Sequence, residues 1–499
     1  MKIRLFFTIF LLVLIAPCFA ALKLPDIITD HMVLKQKSKV ALWGAETAGQ
    51  KVVVHTSWDR EKYEAIADAD GYWKVSVSTP KAGGPYEITF NGTNTIKVVD
   101  VLIGEVWISS GQSNMLFSMD KEAHAKEVIP RSKNTQIRLF RPARMIAQEE
   151  IKHFSAKTAK WDVCGPETVG IFSAMTYYFA AELQKKLGVP VGVINVSWGG
   201  VSIESWMPPS AIQSATVLQN PVARWKKWSA DYAADSIKYK KEVAAYDKTK
   251  VGDKPKLPKS MYMMRRPHRQ YSVLYNGMVS PYTSYALSGF LWYQGTSSVD
   301  WAEEYELQLN MLIKSWRSAF NYPDMPVIIG QLTAFTYEDE DKAYQLRQAQ
   351  LNQRKLKNTY VFCTMDHGNL ADVHPTNKLP YGQRFAAMAL NKVYQQDNVP
   401  CMCPSFRKLK AAGDKLIISF NDAQGLYIKG GKLDELYLAG ADGKFLKADF
   451  AEVRNNELIV GNASIKEPKQ ARYLYKTTAN VQLYNQDQLP AFPFDASLK

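Results

Sequence analysis

Two short segments carry residue types able to do nucleophilic chemistry. The first is SSGQSNM, residues 109–115, where Ser113 follows the apolar run VLIGEVWI. A chain that climbs a strand and turns at Gly-Gln-Ser-Asn either closes a sheet with an ordinary polar loop or lifts a serine hydroxyl out of the sheet edge. Serine is a weak nucleophile at neutral pH. It needs a base to take its proton, an acid to orient that base, and donors for the oxyanion. The second segment, MDHGNLADVHPTNK, residues 365–378, offers the first two. His374 follows the strand-like TYVFCTM, and Asp372 stands two residues before it. One loop would thus deliver acid and base together. GQSNM is not the GxSxG elbow, so the turn alone is weak evidence.

The other six histidines, at 31, 55, 124, 153, 268 and 367, sit in unremarkable settings. A metal reading of Asp366, His367, Asp372 and His374 would crowd four ligands into nine residues of loop, with no second cluster to support them. It ranks well below the triad, and no metal is expected. Oxyanion donors should come from other strand ends. NVSWGG, residues 195–200, ends a strand with Gly199 and Gly200, where a backbone N–H could approach a substrate closely. WYQGTSS, residues 292–298, ends another and offers the Gln294 amide. Tight turns alone would also account for both, and for WGG by itself equally well.

These residues need strands to carry them. VLIGEVWI, VGVINVSW, LSGFLWYQ, PVIIGQL and TYVFCTM read as buried strands, and FAAELQKKLG and YELQLNMLIKSWRSAF as helices between them. The alternation predicts an α/β domain over residues 103–403 with a parallel, covered sheet. A charged helical insertion is expected at residues 211–262, a surface helix or a rim of the site. Residues 21–102 show short β runs separated by Ala48-Gly49, Asp70-Gly71, Gly83-Gly84-Pro85 and Asn91-Gly92, which suggests a small β-sandwich. Residues 404–499 return to β, as a second such domain.

The chain has 499 residues, more than one core usually holds. Its composition, 46% hydrophobic and 22% charged, is that of a globular protein. MKIRLFFTIFLLVLIAPCFA reads as a secretory signal over residues 1–20, so the mature protein is expected to be exported, to the periplasm or beyond the cell. No later run is apolar enough to span a bilayer. Cys164, Cys363, Cys401 and Cys403 are too few for a disulfide framework. The net charge of +14, less two for Lys2 and Arg4, reads first as a solvated basic surface and leaves attraction to anionic glycans open. Nucleic-acid binding is not expected, because no recognition motif is present. Nothing in the sequence sets an oligomeric state.

SGQSNM, WGGVSIESW, LYNGM, LWYQG and DVHP, with Lys378, Gly382 and Arg384 following, resemble the sialate O-acetylesterases, within the wider SGNH hydrolase group. The resemblance covers nearly the whole mature chain, with LPDIITDHMVL and VALWG near its start and LAGADGKF and LPAFPF near its end. It implies an SGNH-type three-layer catalytic domain flanked by β-sandwich-like domains. It also implies an esterase that removes acetyl groups from sugar hydroxyls, above all O-acetylated sialic acid, with no cofactor. Carried over by motif, Ser113 is the nucleophile and His374 the base. Asp372 is the first choice for the acid, with Asp366 the alternative. The Ser113 N–H, Gly199 or Gly200, and the Gln294 side chain would form the oxyanion hole. One position departs from the family's WYQGE: Thr296 replaces the glutamate, a change that bears on specificity or rate. The same motifs fit an acetylesterase for another glycan, such as acetylated xylan. They also fit a non-catalytic glycan-binding protein on the same scaffold.

Overall fold

The computed structural model describes residues 21–154, 159–476 and 480–498. The expected leader, residues 1–20, lies outside them. The fold is mixed α/β, with one large mixed sheet and several small ones. At the centre of the large sheet the strands lie in the order Thr359–Phe362, Val327–Gly330, Gly289–Tyr293, Thr95–Gly111, Val191–Ser197, Asn134–Phe140 and Trp161–Cys164. The first six run parallel. The seventh closes the edge antiparallel.

All five apolar runs picked from the sequence lie in this sheet. Val191–Ser197 and Gly289–Tyr293 are buried at every position, which is why they read as continuous apolar runs and not as alternation. Helix Ala174–Leu187 starts at Ser173, whose side chain accepts from Thr176 N, and ends at Gly188. It packs against helix Leu379–Lys392, which follows the His374 loop. The two helices approach closely at Gly382, where a Cβ would fall 2.4 Å from the Tyr178 Cβ.

The division expected at residue 102 falls inside a strand. Thr95–Gly111 runs unbroken for 17 residues. Its first part pairs antiparallel with Gly83–Asn91 and parallel with Val33–Lys35. Its last part joins the parallel sheet. The N-terminal β region and the α/β region therefore share backbone, and one hydrophobic cluster extends from Leu22 to Ala496. Beyond residue 404 the described residues form two four-stranded sheets, both fully antiparallel, the first over Ser405–Ala412, Lys415–Asn421, Glu457–Gly461 and Phe450–Arg454, and one two-stranded sheet.

The segment expected as an insertion holds a 30-residue helix, Asn220–Thr249, with Pro221 its one buried residue. It is anchored at its first turn. Arg224 forms a bidentate pair with Glu304 at 2.6 and 3.1 Å, and Asn220 Nδ2 donates to the same carboxylate. Among the described residues, no helix is long and apolar enough to cross a membrane. The four cysteines there are buried and unpaired.

Candidate active site

Three strands end level with one another. Gly111 is in register with Ser197 on one side and with Tyr293 on the other. The turns that follow are QSNM, WGG and QGT, so the sheet brings Ser113, Gly199 and Gln294 to one edge although they are remote in sequence. Ligand sites in open α/β sheets form at such carboxyl ends.

The first turn is tightly made. Gly111 has φ +146°, and a Cβ there would lie 2.0 Å from the Tyr293 carbonyl oxygen. Gln112 N donates to that oxygen at 3.2 Å, and Gln112 Oε1 accepts from the Gly295 and Ser297 amides. Ser113 then opens the one-turn helix Ser113–Leu116. Below it, Ser109, Thr176 and Asn195 form a buried polar triangle. Asn195 is the one polar side chain within the run VGVINV, a signal legible in the sequence.

The His374 loop follows strand Thr359–Phe362, three places across the sheet from the strand that carries Ser113. His374 Nε2 lies 2.7 Å from Ser113 Oγ. For Nε2 to accept the serine proton, the imidazole must carry its own proton on Nδ1. Asp372 Oδ1 is 3.8 Å from Nδ1, an ion-pair distance longer than a hydrogen bond, and it accepts from the His374 backbone N at 2.8 Å. Burial holds the His374 pKa below the usual imidazole value, with help from the Lys378 cation and against the pull of Asp372. A base must be neutral to act. Esterase activity is therefore expected to persist below pH 6.5 and to fall as pH drops through this lowered pKa. A pH profile of kcat/KM checks it.

Asp366, the alternative acid, is engaged elsewhere. Arg384 Nη1 and Nη2 donate to its two oxygens at 2.7 and 2.6 Å, and Arg384 also donates to the Cys363 carbonyl. This pair ties the start of the base loop to helix Leu379–Lys392. The four loop residues weighed as metal ligands do not converge, since Asp366 faces Arg384 and His374 faces Ser113. Asp372→Asn is expected to slow turnover with little change in stability. Asp366→Asn should instead lower stability by about 3–5 kcal/mol, because it leaves a buried guanidinium unpaired. Turnover and chemical denaturation of both variants check this, and the reverse pattern would move the acid's role to Asp366.

Gly199 lies directly beside Ser113, where a Cβ would be 3.5 Å from the Ser113 Cβ. Gly200 has φ +70°, and its carbonyl accepts from Arg269 Nε. Gln294 departs from its expected role. Its amide Nε2 donates to Ser298 Oγ at 3.0 Å and to the Val201 carbonyl at 3.2 Å, and its Oε1 accepts from Tyr305. Both amide hydrogens are thus spent inside the fold, where Gln294 braces the WGGV loop. Thr296, at the position that departs from the family motif, lies near the Tyr337 hydroxyl, which donates to the Thr333 carbonyl.

Ser113 and His374 open onto a cleft of about 550 Å³ whose walls include Phe117, Lys121, Arg141, Arg144 and Ile171. Trp198, next to Gly199, stacks on His268 with ring centroids 5.0 Å apart and carries the Arg144 guanidinium 5.6 Å above its ring. Burial and the neighbouring Arg269, Arg266 and Arg144 press the His268 pKa down to about 4, so this ring is neutral.

The family model described as carbohydrate esterase, sialic acid-specific acetylesterase, matches residues 103–239 and 260–391. The chain belongs to this family. The esterase is 25% identical to the sialate O-acetylesterase of Mus musculus over 517 residues, covering 94% of this chain and 93% of the mouse protein. It is 26% identical to that of Pongo abelii, over 94% and 91%. Among solved structures it is similar to a carbohydrate acetylesterase from Xanthomonas citri, with a TM-score of 0.81 and 26% identity over 96% of this chain and all of that one. The esterase is a carboxylic ester hydrolase, and the family's chemistry is the deacetylation of sugars. The family match passes through Ser113, Gly199, Gln294 and His374, and skips residues 240–259, most of which lie at the exposed end of the long helix and just beyond it.

Proposed function

We propose that the protein is an exported serine esterase that removes O-acetyl groups from sialic acids through an acetyl-enzyme. The observation that carries this reading is the 2.7 Å contact between Ser113 Oγ and His374 Nε2 at the mouth of a cleft. As Ser113 Oγ bonds to the acetyl carbon, its proton passes to His374 Nε2. The carbonyl electrons collect on the oxyanion, beside the Ser113 and Gly199 backbone. Collapse breaks the bond to the sugar oxygen, which takes the proton from Nε2. Water then gives a proton to His374 and attacks the acetyl carbon. Acetate leaves, and the proton returns to Ser113. Asp372 favours the Nδ1–H tautomer and the transient imidazolium. The layout fits an SGNH-type domain with a β region on either side, and residues 1–20 fit a cleaved leader.

The cleft supports an anionic sugar. Lys121, Arg141 and Arg144 line it with two carboxylates, of which Asp120 accepts from Ser118 and Asp372 from the base loop. Guanidinium groups suit the carboxylate of a sialic acid. The test is acetate release from O-acetylated sialic acid, its carboxyl methyl ester and acetylated xylan, with Ser113→Ala as control. The expected result is release from the free acid in preference to its ester, lost in the variant. Release from xylan alone would keep the mechanism and discard the sialic acid. No release from any substrate by folded protein would favour a glycan-binding role.

A further inference from the structure

A lysine lies buried beneath the catalytic pair. Lys378 has none of its surface exposed, and its Nζ donates to Asn114 Oδ1 at 2.5 Å. Asn114 is the neighbour of the nucleophile. Its Nδ2 donates at 2.8 Å to the carbonyl of Val373, the neighbour of the base. One side chain therefore ties the nucleophile turn to the base loop, and Lys378 holds it from below. Lys378 is itself fixed. Its backbone N donates to Glu122 Oε1, and its ammonium lies over the Phe117 and Tyr381 rings at 4.7 and 5.4 Å. Glu122 in turn accepts from Tyr178 and from the His124 backbone and is buried.

A buried ammonium is costly, and hydrophobic or neutral polar side chains fill such positions more cheaply. A lysine kept there calls for a role. We propose that Lys378 is a positioning residue for the reaction, acting through Asn114 to hold Ser113 and His374 in contact. This rests on the reading of those two residues as nucleophile and base. Its charge adds a second effect. The ionisable groups around it are Glu122, Asp372, His374, Tyr381 and, through Glu122, Tyr178 and His124. Among these His374 alone changes protonation during turnover. A cation beneath it disfavours the imidazolium and keeps the base neutral at lower pH, consistent with the direction of the His374 shift. Burial also pushes the Lys378 pKa down to about 7, opposed by Asp372 and Glu122, so its charge is fullest on the acid side, where the base needs it.

The test compares Lys378→Met, Lys378→Gln and Asn114→Ala by kcat, KM and the pH profile of kcat/KM on p-nitrophenyl acetate. Lys378→Met is expected to lower kcat on the order of 10²-fold, the loss that follows when reacting groups are misplaced, with KM little changed. The acid limb of its profile moves to higher pH. Lys378→Gln keeps a donor for Asn114, so its kcat falls less while its acid limb moves equally; it also serves where the Met variant does not fold. Asn114→Ala keeps the charge, so kcat falls and the acid limb stays. Unchanged kcat and an unmoved acid limb in folded Lys378 variants would overturn the proposal. Ser113→Ala, run alongside, separates the two levels: activity surviving that change would refute the nucleophile assignment itself.

Discussion

Ser113→Ala is expected to lower turnover by roughly 10³- to 10⁶-fold while leaving the fold intact, the range seen when a member of a serine triad is removed. The size follows from what the hydroxyl does. In the proposed mechanism it supplies the bond-forming atom and the proton that passes to His374, whose Nε2 lies 2.7 Å away. The neighbouring Ser109 and Ser110 do not take its place, because both are buried in the strand. Residual activity should come from the oxyanion donors and the cleft acting on water. The structural cost is small, since Ser113 is only partly buried and alanine suits the first turn of a helix. Acetate release and a melting curve, measured on the same preparation, check both halves.

Gly111→Ala should damage both stability and activity. A methyl group at Gly111 would meet the Tyr293 carbonyl oxygen at 2.0 Å, and that atom belongs to a central strand. The backbone at φ +146° also disfavours any side chain. Strain and overpacking together are expected to cost about 3 kcal/mol or more. Relief requires the turn to move away from Tyr293, which carries Ser113 with it. A displacement of ~1 Å is enough to cost about 10²-fold in rate. Gly188→Ala is the control. Gly188 also has positive φ, +66°, but nothing stands within 4 Å of the added carbon. Its cost should be near 1 kcal/mol, with activity unchanged. Equal effects at the two positions would mean that backbone conformation, and not the contact with Tyr293, governs the turn.

The sheet was legible because its inner strands are buried on both sides and so appear as apolar runs such as VGVINV and GFLWY. The strand Asn134–Phe140, one in from the edge, was not, since NTQ opens it with three polar residues, each at least partly exposed, before the buried IRLF. The sequence places a boundary near residue 102, where short β runs give way to α/β alternation. One 17-residue strand serves both patterns, and a change of pairing partner leaves no mark in the sequence. In the site, Ser113 and the His374 loop were visible from residue type and position. The direction of the Gln294 amide was not, because Tyr305, Ser298 and Val201 set it in three dimensions. The capture of Asp366 by Arg384 and the Lys378–Asn114 contact, 264 residues apart, are likewise products of folding. Lys378 and Arg384 did stand out as motif residues, but only the structure gives them work.

The role of Ser113 is tested most directly by labelling with a fluorophosphonate, which reacts with an activated serine and not with an ordinary one. The esterase is treated with the reagent, acetate release is followed, and the modified peptide is mapped by mass spectrometry. The expected result is loss of activity in proportion to one label per chain, placed on Ser113, with labelling slowed when His374 is replaced by alanine. Full activity after complete labelling of Ser113, or inactivation by a label on another residue, would contradict it.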